Sequence, residues 1–264
     1  MKRTLILCLC ILFLNASFAQ SKKWNLIWSD EFNYSGLPDS TKWSFETRGN
    51  ANGWGNNEKQ FYTKANLENA LISKGTLKII ARKETVDNKL YTSARLSSAG
   101  KAEFQYGKIE ARIKLPSGTG MWPAFWMLGQ NRKTTRWPDC GEIDIMEHVG
   151  YEKDSVHGTI HSGAYNHVKG SQKGKAVFIS KPYSRFHNYA IEWAPEKIDF
   201  LLDDKIYFTF SNEHKTQQEW PFDQPFYLIL NLAVGGNWGG KKSIDENIFP
   251  ATMEVDYVRV YQKQ

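Results

Sequence analysis

Short runs of alternating apolar and polar residues recur along most of this 264-residue chain. In an extended strand successive side chains point to opposite faces, so alternation marks a strand with one face in a core and one in water. Residues 76–83 alternate Leu77, Ile79 and Ala81 against Lys78 and Arg82. Residues 108–115 alternate Ile109, Ala111, Ile113 and Leu115 against Lys108, Glu110, Arg112 and Lys114. Residues 155–161, 189–193, 198–202, 206–210, 226–234 and 253–261 are further candidate strands. Gly, Pro, Asn and Asp punctuate the runs, as turns require. No long segment carries the 3.6-residue period of a helix, and only 212–219 predicts a short one. Many antiparallel strands without helices predict an all-β fold, two antiparallel sheets packed as a sandwich or jelly roll.

One stretch breaks the alternation. Gly141 to His148 reads GEIDIMEH, with Glu142, Asp144 and Glu147 set among Ile143, Ile145 and Met146. In a regular strand Glu142 and Asp144 share one face and the isoleucines the other. Glu147, at an odd offset, would point with the isoleucines into the core, where a bare carboxylate costs several kcal/mol. A β-bulge at Met146 returns it to the face of the other two acids. Clustered like charges raise one another's pKa, which a structural surface would avoid. Glycoside hydrolysis uses such a set, one ionised carboxylate as nucleophile and one protonated carboxyl as acid. Retaining enzymes hold that pair about 5–5.5 Å apart, whereas five residues of plain strand span roughly 16 Å. Only a bent strand and converging glutamates close the gap. The competing reading is a surface strand with solvated acids.

Other motifs surround this one. The loop Gly53 to Glu58, GWGNNE, offers Trp54, Asn56, Asn57 and Glu58 as donors and acceptors for sugar hydroxyls, or simply an Asn-rich turn. Trp122 and Trp126 in MWPAFWML share a face if the segment is a strand, as core residues or as a cleft floor. A second glycine-rich loop, AVGGNWGG, carries Trp238. His157 and His161, four apart on a strand, stand roughly 13 Å from each other. We read them as core or cleft residues, not metal ligands.

Composition changes the picture in three ways. Lys2 and Arg3, an apolar run from Leu5 to Leu14 and Ser17-Phe18-Ala19 form a secretory leader over residues 1–19, too short to span a bilayer comfortably. Residues 20–264 are then one catalytic domain, keeping Cys140 as its single cysteine and forming no internal disulfide. Net charge is +6, with 34 basic residues scattered rather than clustered, which argues against nucleic acid as a partner. Ten Trp, twelve Tyr and fifteen Phe supply a large core and flat platforms for sugar rings.

The ordered set WSDEF, GWGNNE, GKIEARIKLP, WPAFW, GEIDIMEH, HGTIH, YAIEW, WPFD, GGNWGG and VDYVRVY resembles glycoside hydrolase family 16, most closely its bacterial laminarinase-like endo-β-1,3-glucanases. The resemblance covers nearly the whole chain after the leader. It implies a β-jelly roll with a concave cleft and retaining hydrolysis of β-1,3-glucans such as laminarin. Glu142 matches the nucleophile, Glu147 the acid/base and Asp144 the residue between them. Trp122, Trp126 and Trp238 match sugar-contacting positions, with Asn56 and Glu58 beside them. The Met between Ile145 and Glu147 matches the laminarinase type; the lichenase type lacks it. Many members carry a structural calcium, and Glu31, Gly75 and Asp256 match its positions; no catalytic cofactor is implied. The expected partner is a β-glucan, bound by a secreted monomer that neither inserts in membranes nor binds nucleic acid. Mixed-linkage β-1,3/1,4-glucan remains the rival substrate. A non-catalytic β-glucan-binding module would keep the aromatics and lose the acids.

Overall fold

The computed structural model describes residues 23–49 and 52–263, so the leader lies outside the described residues. Two sheets face each other. The ten-stranded sheet runs Lys205–Ser211, Lys197–Leu202, His187–Ala194, Gly107–Lys114, Ala251–Lys263, Thr76–Val86, Lys89–Ser93 and Gln60–Tyr62, with Trp24–Asp30 on Ala251–Lys263 and Ala70–Ser73 on Thr76–Val86. The eight-stranded sheet runs Lys173–Phe178, Ser155–His161, Glu142–Glu147, Met121–Gly129, Phe226–Val234, Arg95–Ser97 and Ser44–Phe45, with Glu103–Phe104 on Phe226–Val234. Pairing is antiparallel apart from Gln60–Tyr62 beside Lys89–Ser93.

Alternation explains the core. Leu77, Ile79 and Ala81 of one strand and Ile109, Ala111 and Ile113 of another are fully buried between the sheets, while Lys78, Arg82, Lys108, Arg112 and Lys114 between and beside them are only partly buried. Each large aliphatic side chain so enclosed contributes about 1.5–3 kcal/mol relative to exposure. Phe226–Val234 is buried along its whole length. Phe226, Leu228, Leu230, Leu232 and Val234 enter the main core. Tyr227 and Ile229 face the other way, joining Leu128 and Cys140 in a small apolar cluster beneath Trp126 and Trp137. That cluster floors the open face of the eight-stranded sheet.

Residues 212–219 are not helical. The Asn212 side chain accepts from the His214 amide, and Glu219 accepts from the Thr216 hydroxyl and amide. Such local side-chain bonds to the backbone compete with a helix. The edge strand Lys173–Phe178 carries no alternation that would have revealed it, because nearly all of it is exposed.

Candidate active site

The strand Glu142–Glu147 owes its geometry to one extra residue. Across from it on Ser155–His161, Thr159 pairs with Asp144 and His157 with Glu147, so Ile145 and Met146 together face Gly158. On the other side Trp126 pairs with Asp144, Phe125 with Met146 and Ala124 with Glu147, which leaves Ile145 unpaired. This is a β-bulge between Asp144 and Glu147. The odd offset of Glu147 predicts it, although the unpaired position is Ile145 rather than Met146. Ile143, Ile145 and Met146 all lie in the core. Gly158, opposite the bulge, has no room for a side chain because of the facing sheet: a Cβ there would stand 2.3 Å from the Tyr207 hydroxyl oxygen and 2.6 Å from the Phe200 ring.

The acids are enclosed. The Glu142 side chain is 14% exposed and that of Asp144 5%. Burial, and then the charge of Asp144, push both Glu142 and Glu147 up to about 8. Burial also raises Asp144 well above the usual carboxylate range. Burial disfavours the charged form of all three, and charge on one further disfavours charge on its neighbours, so the ridge resists ionising as a whole. Opposing groups differ from one end to the other. His161 Nε2 stands 3.7 Å from Glu142 Oε1 and 3.3 Å from Asp144 Oδ2. Trp122 donates its indole N–H to Glu147 Oε1 at 2.9 Å.

Half-buried tryptophans border the ridge. Trp122 and Trp126 stand on the open face, their neighbours Met121, Phe125 and Met127 in the core. Trp238 meets Trp122 edge-on at 5.5 Å. Trp126 donates to Asn231 Oδ1 at 2.7 Å. Arg95 lies 4.7 Å from both the Trp54 and Trp126 rings and donates to Glu46 at 2.6 Å. At the Glu142 end, Trp137 packs beside His161 and His167. The two glycine-rich loops are tied together: the Asn237 amide donates to the Asn56 carbonyl at 2.7 Å, and Asn57 donates to Asn237 Oδ1 at 2.8 Å. Gly236 makes the approach possible, since its φ is +80° and a Cβ would lie 2.9 Å from the Asn56 carbonyl oxygen.

Glu58 differs from the expectation of a sugar contact. It is buried, and its carboxylate accepts from Gln60 at 2.6 Å, Tyr62 at 3.3 Å and Asn56 at 3.4 Å. A carboxylate taken out of water needs such donors. It supports the platform from beneath: Tyr62 in turn accepts from Asn231, the partner of Trp126. Asn56 is half-buried beside it and gives its amide to Glu58. Arg95, Trp137 and His161 complete the surround. Cys140 is buried and pushed up to about 12 by burial, an inert thiol.

Glu31, Gly75 and Asp256 gather toward one end of the ten-stranded sheet. Asp30 pairs with Val258, the bulged Asp256 follows Val255, and Gly75 sits in the turn before Thr76–Val86. Calcium takes six to eight oxygen ligands. Here both Glu31 oxygens accept from Arg259, at 2.9 and 2.7 Å, and Asp256 pairs with Arg112. With a guanidinium on each, these two carboxylates do not fit a cation as side-chain ligands.

An all-β sandwich with enclosed carboxyls on one sheet face, bordered by tryptophans, is an arrangement that glycoside hydrolysis uses. Residues 55–259 match the model of Glycosyl hydrolases family 16. The chain is 53% identical over 246 residues to a beta-glucanase of Rhodothermus marinus, covering 90% of this chain and 85% of that one. The X-ray structure of the laminarinase from Rhodothermus marinus superposes with a TM-score of 0.90 at 50% identity, covering 93% of this chain and 100% of that one. A non-specific endo-β-1,3(4)-glucanase, SCLam, superposes with a TM-score of 0.87 at 45% identity, covering 91% and 92%. The chain belongs to glycosyl hydrolase family 16; it is a glycoside hydrolase, and its two sheets form that family's jelly roll.

Proposed function

We propose that this protein is a secreted endo-β-1,3-glucanase of the laminarinase type that hydrolyses with retention of configuration. The observation that carries the reading is the bulged strand, which sets Glu142, Asp144 and Glu147 in one buried electrostatic unit beside Trp122 and Trp126. Glu142 attacks the anomeric carbon as a carboxylate while Glu147 gives its proton to the departing glycosidic oxygen. A water then loses a proton to Glu147 and displaces Glu142. Two inversions at one carbon give net retention. Asp144, between the two glutamates on the strand, tunes both by its charge. Trp122, Trp126 and Trp238 offer faces to the sugar rings. The similarity to Rhodothermus marinus enzymes supports a β-1,3-glucan substrate. Residues 1–19 direct export, and the released chain acts as a monomer.

The likeness to an endo-β-1,3(4)-glucanase favours a second reading, in which mixed-linkage glucan is cleaved as well. Reducing-sugar release from laminarin, barley mixed-linkage glucan, agarose and carrageenan, run side by side, separates the readings. Laminarin should be cleaved fastest. Activity on agarose or carrageenan alone would overturn the proposal. Proton NMR of the first products should show the β-anomer.

A further inference from the structure

Both active-site glutamates are pushed in the same direction by burial, yet the chemistry needs one ionised and one protonated. Something must set them apart. The bulge matches two glutamates five apart to two histidines four apart on the neighbouring strand: Glu142 pairs with His161, and Glu147 with His157. The two histidines are used differently. His157 gives Nε2 to Glu152 at 2.8 Å and lies edge-on to Trp238. His161 is 6% exposed, and its Nε2 stands within 3.7 Å of both Glu142 and Asp144. Its Nδ1 has no hydrogen-bond partner. A histidine held for structure alone uses its second nitrogen as an anchor. This ring is held by packing against Trp137 and His167, and its polar edge is given to the carboxylates.

We propose that His161 is a positioning residue that decides which glutamate is ionised. Its Nε2 edge, 3.7 Å from Glu142 Oε1 and 3.3 Å from Asp144 Oδ2, acts on them through space rather than through a hydrogen bond, and favours Glu142 as a carboxylate. Glu147 accepts the Trp122 indole N–H at 2.9 Å, a bond that by itself favours its ionised form, so the difference between the two acids comes from His161 standing at the Glu142 end. This rests on the assignment of Glu142 as nucleophile. The charged and titratable groups around the ring are Glu142 and Asp144 on the facing strand, Glu147 further along it, and His167 on the neighbouring turn. Positive charge at His161 or Arg95 favours ionised Glu142; at His161 it also favours ionised Glu147, for which it ranks lower among the causes. His167 is held below its ordinary value by burial and then by the charge of His161.

The test uses an aryl β-laminaribioside with a dinitrophenolate leaving group, which departs without a proton. The acidic limb of kcat/KM then reports ionisation of the nucleophile in the free enzyme. His161→Leu removes the polar ring edge that faces the carboxylates and should move that limb upward by about one pH unit, roughly a tenfold loss of kcat/KM on its acidic side. His161→Gln keeps an N–H of similar reach and should fall between Leu and wild type. A limb that superposes on wild type in His161→Leu, or a Gln variant shifted as far as Leu, overturns the proposal. Should His161→Leu lack a cooperative melt, His161→Gln carries the test: a raised limb supports it and an unmoved limb refutes it. Failure of the wild-type enzyme on laminarin and on the aryl substrate would instead overturn the functional assignment beneath it.

Discussion

Deleting Met146 tests the bulge. In the bulged strand Ile145 and Met146 both face Gly158, so removing Met146 leaves Ile145 opposite Gly158 and Glu147 still opposite His157. On the other side Ile145 takes the place of Met146 opposite Phe125, and Ala124 keeps Glu147. Both ladders become regular. Glu142, Asp144 and Glu147 stay on the open face, Ile143 and Ile145 stay in the core, and no carboxylate is driven inside. The loss is one fully buried methionine, about 2–3 kcal/mol when the backbone closes over much of the space. For a domain of this size that lowers Tm by roughly 5–10 °C. The acid pair shifts on the order of 1 Å, which reduces kcat by about 10–100-fold. Thermal melting followed by near-UV circular dichroism, with laminarin hydrolysis alongside, reads both effects. A chain that loses its cooperative melt altogether would refute the reasoning. So would one that keeps full activity, because the bulge would then have no part in the geometry of the ridge.

Three further outcomes follow from the same contacts. Asp144→Asn removes the charge that raises both neighbours, so both limbs of the pH–activity profile should move to lower pH; unmoved limbs would make Asp144 a bystander. Glu147 is held above its ordinary value, so the folded state binds more protons than the unfolded chain between pH 4.5 and about 8, and this destabilises the fold progressively as pH rises through that window. Glu147→Gln should therefore melt higher than wild type at pH 7, with the gap closing toward pH 4, while hydrolysis of laminarin falls sharply; a melt unchanged at every pH would contradict the burial argument. Arg259 and Arg112 engage the side chains of Glu31 and Asp256, which leaves backbone carbonyls, the only ligand Gly75 offers, to hold calcium there; a chelator should then lower Tm, and an unchanged Tm with no calcium found by elemental analysis would rule the ion out.

Much of this molecule was legible in its sequence because the relevant signals are local. Alternation located strands of both sheets, since a two-sided strand writes its burial into every second residue. The break in alternation at Glu147 located the bulge for the same reason. What escaped depends on pairing between distant segments. Nothing near His161 says that it will stand beside Glu142, and His157, in the same HGTIH motif, engages Glu152 instead. Arg95 comes from a three-residue strand, and its place between Trp54 and Trp126 is set only when the loop and the sheet meet. The burial of Glu58 was not legible because a polar, glycine-rich loop reads as exposed, whereas Gln60 and Tyr62 draw its carboxylate under the surface. Residues 212–219 were misjudged because side-chain bonds to nearby backbone outcompete a weak helical period.

The division of labour between the two glutamates is tested most directly by trapping the covalent intermediate. In an activated 2-deoxy-2-fluoro β-laminaribioside the fluorine slows both displacements by destabilising their oxocarbenium-like transition states, and the activated leaving group restores the rate of the first alone, so the sugar accumulates on the nucleophile. Peptide mass spectrometry of the inactivated enzyme should find one fluorosugar ester, on Glu142. An ester on Glu147, or turnover-dependent inactivation with no covalent adduct at all, would contradict the account.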